Sequence, residues 1–389
     1  MASGLHPDVV SGFSRTSDMA NEDKATRYHR LRRRASLAGA AASALFLLLL
    51  LISNGSAALR DTAARATGGG FYATLAVYVL VVAALHELLQ LPLAFYQGIT
   101  LERRYGLSTQ STAHWWQDQL KSWIVGAIFG LLAAIVVWSL LRWNADWWWL
   151  AAAASFSVVL ALLAQLAPVV LLPLFYDLKP LERPALTERL IALAARARTP
   201  VLGVFEWRLS DRTRKANAAL TGLGATRRIL LSDTLLAEHS DDEIEVVLAH
   251  ELAHHVHRDI WSAIALETAL ITAGLYLADR LLAGFADAFG LLGKSDIAAL
   301  PLLLLALGGV SLVLMPLANA FSRAHERRAD RYALSMTRNG EAFITAMRRL
   351  AAQNLAEERP SRLVELLFHS HPSTTARIAA AEEWKRTCS

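Results

Sequence analysis

The chain has 389 residues, 54% of them hydrophobic and only 19% charged, with a mean hydropathy of +0.33. A soluble globular protein carries about 25% charge, so the composition excludes an ordinary soluble enzyme, and its hydrophobicity excludes a disordered chain. The lone cysteine, Cys388, excludes a disulfide framework and a cysteine-based metal cluster, so any metal must be held by His, Asp or Glu.

Six runs are apolar over the roughly 20 residues that a bilayer crossing needs: Ala35–Ser53, Phe71–Phe95, Ser122–Leu141, Trp147–Phe175, Ile260–Ala283 and Ile297–Phe321. The polar lead before the first is long for a signal peptide, so that run reads as a span. Trp115, Trp116, Trp143 and Trp147 to Trp149 fall at segment edges, where tryptophan anchors at the headgroups. His86 and Glu87 lie mid-span. Their cost at that depth predicts a polar cavity wall, or a hydrogen-bonded helix contact.

Lys and Arg number seven before the first run, then two, three, one, twelve and one between runs, and twelve after the last. The alternation puts both tails, the 96–121 loop and residues 176–259 on the cytoplasmic side. The net charge of +5 then reflects cytoplasmic loops, with no nucleic-acid partner implied. The reading divides the chain into a tail (1–34), a four-span membrane domain (35–175), an extramembrane region (176–259), two further spans (260–321) and a second extramembrane region (322–389).

Within 176–259 an amphipathic stretch, Glu182 to Arg198, predicts a helix. Val201–Leu209, Ala216–Gly222 and Arg227–Leu231 predict short strands, with Gly222 and Gly224 at a turn. Ser240-Asp-Asp-Glu243 is a capping box that opens a helix. With no Gly or Pro from Asp241 to Ala273, that helix is expected to run unbroken into the fifth span. It carries His250-Glu251-Leu252-Ala253-His254, the HExxH pattern. Two histidines at i and i+4 share a face that suits one zinc ion, and Glu251 beside them suits a general base. A surface histidine pair is the bland alternative.

A catalytic zinc takes three protein ligands. His255 and His257 point to other faces. Glu326, with Asp330 one turn on, follows the sixth run and is the best third ligand, with His325 its rival. Asp330 would orient a histidine imidazole from behind, and Asp259 is assigned the same kind of role. A solvated charged helix with Arg323, Arg327 and Arg328 is the competing reading. His254 and Glu326 each lie five or six residues from a span boundary, under about 10 Å at 1.5 Å per residue. Two emerging helices would therefore meet at one level, beside membrane-associated substrates.

These residues resemble the membrane-embedded CAAX prenyl zinc endopeptidases and their bacterial relatives. The likeness covers most of the chain beyond Phe71. It runs through Leu91-Pro-Leu-Ala-Phe-Tyr96, Leu101-Glu-Arg-Arg-Tyr-Gly-Leu107, Pro173 to Glu182, Asn217-Ala218, Arg228 to Leu236, the HELAH segment, Ser322-Arg323 with Glu326 and Asp330, Ser370-His-Pro372 and Arg377-Ile378. The resemblance implies an α-helical polytopic membrane protein with a cytoplasmic α+β metalloprotease domain and a small β-sheet. It implies one zinc held by His250, His254 and Glu326, with Glu251 as base. It implies His371 and Arg377 near the substrate or oxyanion, Asn217 on the substrate backbone, and a water-filled chamber between membrane helices. Two departures stand out: six spans where eukaryotic members have seven, the missing one before Phe71, and Lys215-Ala216 where the family has His-Ser.

The expected function is a zinc-dependent membrane endopeptidase acting on peptides or proteins that are membrane-associated or lipidated. A broad quality-control membrane protease is one rival, and a non-catalytic scaffold or transporter with structural zinc another. Cys388 is second from the end, so the chain is not itself a CAAX substrate, and the absence of an ER-retrieval ending favours a bacterial inner membrane over the ER. No oligomer is implied.

Overall fold

The computed structural model describes residues 23–170, 172–222 and 227–388. The expected turn residue Gly224 lies outside them. Gly222, within them, takes a left-handed φ of 93°.

The chain begins with α1 (Lys24–Ile52), a short α2 (Gly55–Ala66) and α3 (Phe71–Phe95). Pro92 lies inside α3 and supplies no N–H to the helix ladder. Four residues on, the helix widens into a π-helical turn, Tyr96–Leu101, before α4 (Glu102–Arg104). Then come α5 (Thr112–Trp143), α6 (Trp148–Val170) and α7 (Leu172–Phe175). The extramembrane part holds β1 (Leu178–Pro180), α8 (Pro184–Arg196), β2 (Gly203–Trp207), β3 (Ala218–Thr221), β4 (Arg228–Ser232), α9 (Asp233–Glu238) and α10 (Asp241–Val256). The chain re-enters as α11 (Asp259–Phe285) and returns as α12 (Leu300–Thr337), followed by α13 (Gly340–Gln353), α14 (Arg362–Phe368) and α15 (Thr374–Cys388).

Among the described residues six helices are long and apolar enough to cross a membrane, each overlapping one of the six runs. The 12-residue α2 reaches only about 18 Å and cannot. It sits where an additional span would fall and closes one end of the bundle. Ser56 Oγ meets Tyr78 Oη at 2.7 Å and donates to Ala298 O, and Arg60 bonds Asp296. The bundle core is aromatic and aliphatic, with Leu75, Tyr78, Trp138 and Trp148 sealed inside.

Trp148 corrects the reading of tryptophans as interface anchors. It is fully buried, and its indole N–H donates to Asp279 at 2.8 Å. Trp115 is buried too, whereas Trp143 and Trp147 remain exposed. A run of three tryptophans on a helix cannot keep one face, so one of them turns into the core.

The extramembrane sheet has the order β1-β2-β4-β3, with β2 parallel to β4 and the other pairs antiparallel. β3 is therefore an edge strand. Beside the sheet, α10 turns Ile244, Leu248 and Leu252 into the core at i, i+4 and i+8. They pack with Leu190 of α8, Ile229 of β4, Ala333 of α12 and Phe343 of α13.

The expected unbroken helix from Asp241 to Ala273 does not form. α10 stops at Val256, and Arg258 takes a left-handed φ of 57° before α11 starts. A left-handed residue ends helices whatever its side chain, and no Gly or Pro need announce it.

Candidate metal centre

The opposite face of α10 presents His250, Glu251 and His254. The Ser240 hydroxyl accepts from Glu243 N, and Glu243 accepts from Ser240 N, so the helix start is fixed. α12 packs against α10 and brings Glu326 over both imidazoles. His250 Nε2 lies 3.2 Å from Glu326 Oε2, and His254 Nε2 lies 3.5 Å from Glu326 Oε1. One ligand atom from each of the three falls within 4.8 Å of the others.

The outer ring nitrogens face carboxylates. His250 Nδ1 is 2.9 Å from Asp330 Oδ1, and His254 Nδ1 is 2.9 Å from Asp259 Oδ2. Carboxylates only accept, so each Nδ1 donates, and in the neutral imidazole that leaves the Nε2 lone pair facing Glu326. Asp259 reaches back to His254 because the chain reverses at Arg258; a continuous helix would put position i+5 on another face. Arg328 also binds Asp259.

Three acceptors thus converge on one buried point. Glu326 is 6% exposed, and among the described residues its Oε2 has no hydrogen bond of sound geometry although His371 Nδ1 approaches to 2.9 Å. A cation resolves that arrangement. Arms of 2.0–2.1 Å in a tetrahedron set ligand atoms about 3.3 Å apart, a separation of the same order as His250 Nε2 to Oε2 at 3.2 Å and His254 Nε2 to the other oxygen, Oε1, at 3.5 Å. The donor set fits a divalent metal. Without one, His250 is drawn to hold a proton: burial resists, but Asp330 and Glu326 outweigh it and push the imidazole up to about 9. Glu251 moves up as well, mainly by burial, against the pull of His250 and His254.

A cleft of about 530 Å³ opens on this point, and Asn217, Ala218, Glu251, Glu326, His371 and Arg377 line it. His371 is 61% exposed at its mouth. Arg377 lines the cleft, with a terminal nitrogen 3.4 Å from His250 Nδ1. It grips Asp330 with two bonds, Nε to Oδ2 at 2.8 Å and a terminal nitrogen to Oδ1 at 2.5 Å. Asn217 is exposed, and its backbone pairs with Ser232 of β4. His325, the rival ligand, lies tilted against the Phe321 ring, 3.9 Å from Asp259.

The model for peptidase family M48 matches residues 180–385. The chain belongs to peptidase family M48. A second model, described as CAAX prenyl protease N-terminal with five membrane helices, matches residues 6–177 of the M48 chain. Relatives include an uncharacterized metalloprotease YhfN of Bacillus subtilis, 36% identical over 314 residues, covering 79% of the M48 chain and 72% of that protein. CAAX prenyl protease 1 of Saccharomyces cerevisiae is 29% identical over 326 residues, covering 78% and 70%. The crystal structure of S. mikatae Ste24p superposes with a TM-score of 0.84 at 22% identity, covering 92% of this M48 chain and 88% of that one, which shows a common fold. The M48 chain is a multi-pass membrane metallopeptidase, and it hydrolyses peptide or protein substrates.

Sequence reading missed several contacts of the site's surroundings. The Glu102 carboxylate of the Leu101–Leu107 motif binds Tyr28 Oη and Lys215 Nζ, and Leu107 O accepts from Arg214 N, so that loop docks the membrane helices beside β3. Asn354 and His255 hold the backbone of β3. Their partners are main-chain groups, which leave no mark in a sequence.

Proposed function

We propose that the chain is a zinc endopeptidase that cuts membrane-associated peptide segments at the cytoplasmic face. The observation that carries this reading is the convergence of two imidazole Nε2 atoms and the Glu326 carboxylate on one buried point beside Glu251. In this account His250, His254 and Glu326 hold zinc. The ion, when bound, supplies Lewis acidity toward water and a carbonyl oxygen. Glu251 takes the proton from the attacking water and hands it to the leaving amine. His371, exposed at the mouth, donates to the oxyanion. Asp330 and Asp259 fix the two imidazole tautomers, and Arg377 acts through Asp330, holding it against His250. Asn217 borders the substrate backbone.

The cytoplasmic assignment rests on the Lys and Arg alternation, and a bacterial inner membrane suits it. His86 and Glu87 support the chamber: they bond Ser43 and Trp123, and they line a cavity of about 370 Å³ between membrane helices. Glu251→Gln should retain one zinc per chain while kcat falls 10²- to 10⁴-fold. Turnover unchanged in that variant would remove the base assignment. Assaying a prenylated peptide beside an unprenylated membrane protein separates CAAX-type processing from broad membrane proteolysis.

A further inference from the structure

The inner side of β3 pairs with β4, and its outer side faces the cleft. Ser232 N donates to Asn217 O at 2.9 Å, so Asn217 turns toward β4. Antiparallel alternation then turns Ala219 and Thr221 the same way, and leaves Ala216, Ala218 and Leu220 pointing outward. An added strand could draw on these three positions.

Two of the three are already engaged. Asn354 clasps Ala216 from both ends: its Oδ1 accepts from Ala216 N at 2.8 Å, and its Nδ2 donates to Ala216 O at 3.1 Å. The side-chain amide stands in for a neighbouring strand. At the other end His255 Nε2 donates to Leu220 O at 3.0 Å. Among the described residues nothing bonds the outward N–H and C=O of Ala218. The clasps stand four residues, roughly 13 Å, apart. Between them one carbonyl is left to receive a donor.

We propose that Asn354 and His255 bracket the β3 edge so that a substrate can donate only one backbone N–H to it, to Ala218 O. The bracket sets both register and length: a short extended segment is held, and a long strand gains nothing. This inference rests on the endopeptidase reading above. It holds whether the substrate runs parallel or antiparallel to β3, because the count of free acceptors is the same.

The test is a backbone amide-to-ester scan of a peptide that the full-length enzyme cleaves, the scissile bond left intact. An ester removes one N–H with little added bulk. Among positions spaced by two residues along the bound segment, wild type should show one whose replacement lowers kcat/KM about fivefold to tenfold. Asn354→Ala frees Ala216 O and should add a second sensitive position two residues to one side. His255→Ala frees Leu220 O and should add one two residues to the other side. No sensitive position in wild type, or two spaced by two residues, overturns the bracket, as does a folded, active variant that adds none. Since wild type must cleave the parent peptide and Glu251→Gln must not, failure of the bracket is distinct from failure of the endopeptidase reading.

Discussion

Glu326 is a carboxylate set against two imidazoles whose outer nitrogens are already bonded to carboxylates. Each Asp bonds an outer ring nitrogen, so on the proposed zinc reading the residues behind the ligands matter nearly as much as the ligands. Asp330→Asn can present an N–H to His250 Nδ1 and so release the tautomer. Zinc affinity or activity should fall 10- to 100-fold, read by competition with a chromophoric chelator; unchanged affinity would make Asp330 a bystander. How far this was legible differs from residue to residue. His250, Glu251 and His254 lie within five positions on one helix, so periodicity alone displays them. Glu326 sits among Arg323, Arg327 and Arg328, and charge pattern alone favours a solvated face; only the packing of α12 on α10 buries it. His255 and Asn354 act on backbone groups and could not be read at all.

At the scale of the element, α10 is held by its cap. Ser240→Ala removes the acceptor for Glu243 N and should cost about 1 kcal/mol, seen in the thermal midpoint of the detergent-solubilised protein. Burial alone would raise the Glu243 carboxyl, but the Ser240 N–H, the Thr345 and Ser240 side chains and Arg349 outweigh it and hold the carboxyl below its ordinary range. A lowered folded value means that this stabilisation is complete above the ordinary glutamate range and is lost as pH falls through the folded value. Glu243→Gln should therefore flatten the loss of stability below about pH 5; an acid limb identical to wild type would contradict the assignment. The capping box was legible because Ser-x-x-Glu is a local signal. The end of α10 was not, because Arg258 adopts a left-handed conformation without a glycine to mark it. Arg258→Gly should keep or raise stability, since glycine takes that φ freely. A β-branched Arg258→Ile should destabilise. Equal melting of the two variants would deny that the reversal matters.

For the whole molecule, two helices long enough to cross the bilayer bring His254 and Glu326 together from distant parts of the chain. α11 enters the membrane just after the α10 reversal, and α12 leaves it just before Glu326. Hydropathy marked the six crossings clearly. It left α2 unread, because a 12-residue helix closing the bundle through Ser56 and Arg60 has neither span length nor a strong apolar run. The charge alternation predicts sidedness. Cys388 should resist a membrane-impermeant maleimide in intact cells, while Asp146→Cys, in the short loop between α5 and α6, should react; the reverse pattern would invert the topology.

X-ray absorption at the zinc edge, on full-length protein loaded with one equivalent, should give two imidazole nitrogens and oxygen ligands at about 2.0–2.1 Å. Glu326→Ala should lose an oxygen from that shell and bind zinc far more weakly. An identical spectrum and affinity in the variant would contradict the three-ligand centre.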